Sequence, residues 1–141
     1  MSKTAGGSVI IVDDDAFVLE TTALILTTRG YLVIPCNKAT DALKRFKEKR
    51  PDAVLTDVKM PGMTGIQLLE ELRSISPDVP VILMTAYAEL DVAVEAVKKG
   101  AFDFIIKPFR PEYLVHSVEK AVNYAKLLHL EKNYRGVLEQ E

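Results

Sequence analysis

Two kinds of apolar pattern alternate along the chain. Short, nearly continuous β-branched runs stand at Val9–Val12, Tyr31–Ile34, Ala53–Leu55, Val81–Met84 and Phe104–Ile106. Each is too short for a helix, and its lack of polar alternation is that of a strand covered on both faces. Between the runs, apolar residues fall at helical spacing over Phe17–Thr28, Ala39–Lys49, Ile66–Ile75 and Leu90–Lys99. A last helix is predicted after Pro111, carrying Leu114, Val118, Ala121, Ala125 and Leu128. Leu90, Ala93, Val94 and Val97 follow the i, i+3, i+4, i+7 rule and predict an apolar stripe set against a Glu/Lys face. Gly30 and Gly100 stand just past periodic segments, where helices end in a left-handed residue. Arg29 and Lys98–Lys99 oppose the negative end of the helix dipole there. Strands alternating with helices imply βαβ units and a parallel sheet. Five repeats predict a (βα)5 doubly wound α/β fold built on a five-stranded parallel sheet. The expected organisation is a flexible N-terminus at 1–7, a folded domain at 8–126 and a helical extension or linker at 127–141.

Composition narrows the class. A length of 141 residues suits one domain, and 48% hydrophobic with 27% charged residues is a globular balance. With 18 Lys+Arg against 20 Asp+Glu the chain lacks the clustered positive charge of a direct nucleic-acid binder. The lone Cys36 excludes an internal disulfide framework and a CxxC metal knuckle, and suits a reducing cytosol. The opening MSKTAGGS has no apolar signal core behind it, and no run nears the ~20 residues of a membrane span. A soluble, cytoplasmic protein with no membrane partner is expected.

In an open parallel sheet, ligands bind beyond the carboxyl ends of the strands. The first run ends in Asp13–Asp14–Asp15, the third in Thr56–Asp57, the fourth in Thr85 and the fifth in Lys107. The second ends in Pro35–Cys36–Asn37, as an outer strand away from the site would. Asp13, Asp14 and Asp57 brought together repel, and a cation must offset them. Hard oxygen ligands without His or thiolate favour Mg²⁺. Lys107 adds a point charge for a phosphoryl oxygen, Thr85 a small hydroxyl donor, and Ala86 beside it leaves room for a substrate. The set describes phosphoryl transfer onto a carboxylate nucleophile. Asp15 reads instead as the N-cap of the helix at Phe17, and Asp41 and Asp52 as cap or turn residues. His116 and His129 fall on the last helix, away from the strand ends.

IIVDDD at 10–15, LTDVKMPGMTG at 55–65 and MTAYAELDVAVEAVKKGAFDFIIKPF at 84–109 resemble the response-regulator receiver domain of bacterial two-component signalling, over about residues 8 to 126. The resemblance implies the flavodoxin-like strand order 2-1-3-4-5, that Asp57 is the phosphoacceptor and that Asp13 and Asp14 form the acidic pair. With Asp57 and the backbone carbonyl of Lys59 these would hold Mg²⁺. Thr85 and Lys107 would contact the phosphoryl group, with Lys107–Pro108 cis. Thr85 and Phe104 would form the switch, and Lys59 and Tyr87 would tune hydrolysis. Two features depart from the commonest pattern: Asp15 is a third negative charge, and Phe104 stands where many relatives have tyrosine. The stretch around Leu90 is most similar to receivers that precede σ54-dependent ATPase output domains. The implied partners are a histidine kinase or phosphotransfer protein, with an output domain absent from this chain.

Two rival functions use some of the same residues. Asp13-x-Asp15 resembles the nucleophile motif of haloacid-dehalogenase-type phosphatases, but Phe17 stands where that family has Thr or Val, and no late acidic pair follows Lys107. A non-phosphorylated pseudo-receiver would lack Asp57, Lys107 or the acidic pair, and all are present. No phosphate-binding glycine loop appears. Beyond the domain, Leu127, Leu130, Tyr134 and Val137 form a second stripe with 3–4–3 spacing, which suits a homodimer, although Gly136 weakens that helix by roughly 1 kcal/mol relative to alanine.

Overall fold

The structure, a computed structural model, describes residues 6–86 and 89–140. Ten elements alternate: β1 (Ser8–Val12), α1 (Ala16–Thr28), β2 (Leu32–Cys36), α2 (Ala39–Glu48), β3 (Ala53–Asp57), α3 (Gly65–Ile75), β4 (Val81–Ala86), α4 (Leu90–Lys98), β5 (Asp103–Lys107) and α5 (Pro111–Gln140). The strands are parallel, as the sequence pattern predicts, and ordered β2-β1-β3-β4-β5, as the resemblance implies.

The three inner strands, joined by Ile105 of β5, carry the core on both faces, because successive side chains point to opposite sides. Ile10, Val12, Val54, Val81 and Leu83 pack with Phe46, Leu68, Leu69, Leu72 and Ala96. Val9, Ile11, Leu55, Ile82, Met84 and Ile105 pack with Leu26, Leu114, Val118, Ala121 and Val122.

Burial on both faces fails at the sheet's two edges. In β2, Leu32 is exposed and Val33 and Ile34 are half-buried, and most of β5 is half-buried as well. An edge strand has a flank that no neighbour covers, which also lets β2 include Pro35. The second strand begins one residue later than predicted. The Tyr31 amide donates to the Leu26 carbonyl and the Gly30 amide to Thr27, with Gly30 at φ +94°, so the end of α1 uses these residues. Cys36 is buried, and burial followed by the Asp41 carboxylate pushes its thiol up to about 11, so it stays protonated at neutral pH.

Of the stripe predicted on α4, Leu90 is half-buried and Val94 and Val97 are exposed, while the side chain of Ala93 lies outside the described residues. Ala96 is buried, whereas Val92, Val94 and Val97 are 39%, 45% and 41% exposed. Apolar residues at Leu90, Val92, Ala93, Val94, Ala96 and Val97 nearly ring this helix, so its spacing fits more than one side, and packing chooses the small Ala96. In α5, Leu114, Val118 and Ala121 are buried as spaced, and Ala125 and Leu128 are half-buried. The helix continues without a break past 126, and Leu127, Leu130 and Tyr134 are exposed. The side chain of Val137, predicted to continue that stripe, lies outside the described residues. Lys132 pairs with Asp78 of the α3–β4 loop. Among the described residues no helix is long and apolar enough to cross a membrane.

Candidate functional site

The carboxyl ends of β1, β3 and β5 bring Asp13, Asp14, Asp57 and Lys107 together. Asp13 is fully buried, Asp14 is exposed, and Asp57 and Lys107 are half-buried. The Lys107 Nζ donates to Asp13 Oδ2 at 2.8 Å and lies 3.3 Å from Asp57 Oδ1. Asp13 and Asp57 therefore share one ammonium. The second Asp13 oxygen accepts from the Asp15 amide at 2.9 Å, which holds that carboxylate in place. Asp15 takes no part in the cluster. Its carboxylate accepts from the Phe17 and Val18 amides and caps α1, as predicted.

Asp13, Asp14 and Asp57 each offer a carboxylate oxygen, and these lie within 4.8 Å of one another. Three carboxylates facing one ammonium leave excess negative charge. Burial pushes the Asp57 carboxyl above its ordinary range; the Lys107 charge pulls it down, and the Asp13 and Asp14 carboxylates push it up again. For Lys107, burial acts downward, but the hydrogen bond to Asp13 and the Asp57 charge outweigh it and hold the ammonium above the ordinary lysine range. An all-oxygen donor set with uncompensated negative charge fits a hard divalent cation.

The remaining predicted residues are placed less uniformly. Thr85 is buried one position beyond the register partner of Asp57, and its hydroxyl donates to the Ala86 carbonyl at 3.1 Å. Phe104 is half-buried and packs against the cluster shared by α2 and α3. The Lys107–Pro108 peptide is cis. Lys59 turns its side chain to Glu89, with Nζ 3.1 Å from Oε1. Tyr87 lies outside the described residues. His116 and His129 are exposed, away from the site.

Two residues near Asp57 escaped sequence reasoning. Glu89 is the partner of Lys59, and only its position after the fourth strand hinted at this. Gly65 is the other: its amide donates to the Val58 carbonyl at 2.9 Å, and a Cβ there would fall 2.1 Å from the Asp57 carbonyl oxygen. The β3–α3 loop folds back onto the Asp57 backbone, and glycine alone allows that approach. The short span from Asp57 to Gly65, with Pro61–Gly62 turning it (Gly62 at φ +75°), was the available clue.

The family model described as the response regulator receiver domain matches residues 9–119. This chain is a response regulator receiver. It is 43% identical over 119 residues to Regulatory protein AtoC of Escherichia coli K12, covering 84% of this chain and 26% of that protein. It is 35% identical over 133 residues to the DNA-binding transcriptional regulator NtrC of Proteus hauseri, covering 94% of this chain and 28% of that one. A response regulator receiver domain protein from Clostridium thermocellum superposes with a TM-score of 0.82 at 33% identity, covering 86% of this chain and 98% of that one. The receiver thus spans about a quarter of the length of the curated relatives it matches. Neither the phosphatase nor the pseudo-receiver reading finds support in these similarities.

Proposed function

We propose that this receiver takes a phosphoryl group on Asp57, in a Mg²⁺-dependent reaction, from the phosphohistidine of a histidine kinase or phosphotransfer protein. The observation that carries the reading is the Lys107 ammonium set between Asp13 and Asp57, with Asp14 completing the carboxylate triad. An Asp57 carboxylate oxygen attacks phosphorus as the P–N bond breaks, and its electron pair leaves on the imidazole nitrogen. Lys107 lies where it can neutralise charge on the phosphoryl oxygens, and the buried Asp13 keeps it there. Asp13, Asp14, Asp57 and the backbone carbonyl of Lys59 would hold Mg²⁺, which when bound supplies further neutralisation of the transferring group.

Phosphorylation then acts as a switch. The Thr85 hydroxyl, on the Ala86 carbonyl in the structure, exchanges it for a more highly charged phosphoryl oxygen, and the ring of Phe104 moves into the space vacated. The surface around α4 and α5 changes with it. This surface relays the signal to a partner, to a second copy along Leu127, Leu130, Tyr134 and Val137, or to an output domain such as one regulating transcription. The receiver occupies 8–126 and the linker 127–141, and the protein works in the cytoplasm. Self-dephosphorylation is slow because Lys59 cannot accept a proton from the attacking water; Tyr87, the other residue expected to tune hydrolysis, lies outside the described residues.

Intact-mass measurement after incubation with acetyl phosphate and Mg²⁺ tests the assignment. One added phosphoryl group is expected, absent in Asp57→Asn and without Mg²⁺, and its loss over hours reads the hydrolysis rate. An adduct that persists in Asp57→Asn overturns the assignment.

A further inference from the structure

The Lys59–Glu89 pair lies at the rim of the site and joins two elements of unequal security. Glu89 is the N-cap residue of α4, yet its side chain makes no capping hydrogen bond and goes to Lys59 instead. That pair is open to solvent on the lysine side, where the Lys59 side chain is 78% exposed and that of Glu89 26%. The other end of α4 is held differently. The Gly100 carbonyl, just past the helix, accepts from Arg73 Nε at 3.1 Å and Nη2 at 2.9 Å. The same guanidinium donates to the Ser76 and Val79 carbonyls at 3.1 and 2.6 Å, so it is fixed to the end of α3. A Cβ on Gly100 would stand 3.0 Å from Arg73 Nε, so this contact is close-packed. Lys99 adds a pair with Glu70 at 3.5 Å on the same end. Thus α4 is pinned at its C-terminus to α3 and tied at its N-terminus to the β3–α3 loop through Lys59.

Lys59 stands two residues after Asp57, about 7 Å of backbone at most. Its ammonium is therefore within reach of two competing anions. Glu89 offers one negative charge. An aspartyl phosphate would offer a charge of roughly −1.5 to −2 and three strong acceptor oxygens. We propose that Glu89 is a positioning residue for the chemistry at Asp57. In the unphosphorylated chain it holds the Lys59 ammonium off the acceptor and ties down the first turn of α4; the aspartyl phosphate draws Lys59 away, and α4 swings about its Arg73-held end. The second half of this rests on Asp57 being the acceptor; the first half does not.

The test uses the full 141-residue chain as wild type, Glu89→Gln, Lys59→Gln and the charge exchange Lys59→Glu/Glu89→Lys, each with and without acetyl phosphate and Mg²⁺. Without donor, amide hydrogen exchange of Val94–Val97 should rise about threefold in both single variants, the scale of an exposed ion pair, and return toward wild type in the exchanged pair. High salt should raise exchange in wild type and leave Glu89→Gln unmoved. With donor, phosphorylated wild type should reach the exchange of Glu89→Gln. The rate of phosphoryl uptake from the anionic donor should increase in Glu89→Gln, where Lys59 is free, and the increase should vanish when Lys59→Gln is added. A purely structural role for Glu89 would not make that increase depend on Lys59.

Wild-type exchange in donor-free Glu89→Gln overturns the latch. An uptake rate in that variant equal to wild type overturns the positioning role. Intact mass on the same samples reports phosphorylation separately, so failure of the acceptor assignment leaves the donor-free arms to decide the latch.

Discussion

α3 and α4 flank the same site and are built in opposite ways. α3 opens with a reciprocal cap: Thr64 Oγ1 accepts from the Gln67 amide at 3.2 Å, and Gln67 Oε1 accepts from the Thr64 amide at 2.9 Å. It then buries Gly65, Leu68, Leu69 and Leu72 against the sheet. α4 opens on Glu89 with no side-chain cap and leaves three valines exposed beside the buried Ala96. The loop before α3 runs over the Asp57 backbone, and Glu89, the N-cap of α4, stands four residues after Thr85. A helix that buries little and caps poorly opens at low free energy. The contrast separates two kinds of helix: α3 is fixed beside the Asp57 backbone, and α4 is held less firmly at the same end of the sheet.

The largest expected effect probes burial. Leu69→Ala should lower unfolding free energy by about 2–5 kcal/mol, the range for deleting a fully buried leucine side chain. Val94→Ala should change it by less than about 0.5 kcal/mol, as an exposed substitution does. Urea denaturation of both variants checks this, and comparable losses would break the contrast between the helices.

A smaller effect sharpens the link between α3 and Asp57. In Gly65→Ala the new methyl group meets the Asp57 carbonyl oxygen, so the loop must retreat. The expected loss is about 1–3 kcal/mol, the scale of overpacking. Phosphoryl uptake at Asp57 should fall as well, beyond what the unfolded fraction explains. Circular dichroism melts beside intact-mass time courses separate the two effects. Undiminished uptake would mean that the loop's close approach does not position the acceptor.

The smallest effect compares the helix starts. Thr64→Ala removes a cap and should cost about 1 kcal/mol. Glu89→Ala has no capping bond to lose, and its global stability should move by less than about 0.5 kcal/mol, with its effect confined to local exchange in α4. Equal losses in denaturant would show that α4 depends on its first residue as much as α3 does.

Much of the molecule was legible in the chain. Unbroken apolar runs marked the inner strands, since a strand sandwiched between helix layers has no polar face to show. Gly30 and Gly100 marked two helix ends, and both take the left-handed conformation, at φ +94° and +107°. Polar residues directly after those runs located Asp13, Asp57, Thr85 and Lys107 on one edge, because parallel strands point all their carboxyl ends the same way. The Asp15 cap was legible too, being a purely local interaction.

What the sequence determined by itself was therefore local periodicity and polarity along the chain, which set the element order, the sheet and the edge that carries the chemistry. Tertiary structure alone decided the lateral neighbours. Packing chose Ala96 over Val94 and Val97 as the face of α4, because a helix ringed with small apolar residues has no single stripe to follow. It brought Glu89 to Lys59 across thirty residues and laid Gly65 against the Asp57 carbonyl, contacts between segments whose separation no spacing rule measures. It also left Leu32 in solvent at the sheet's edge, since a strand's own residues do not state whether a neighbour lies on both sides.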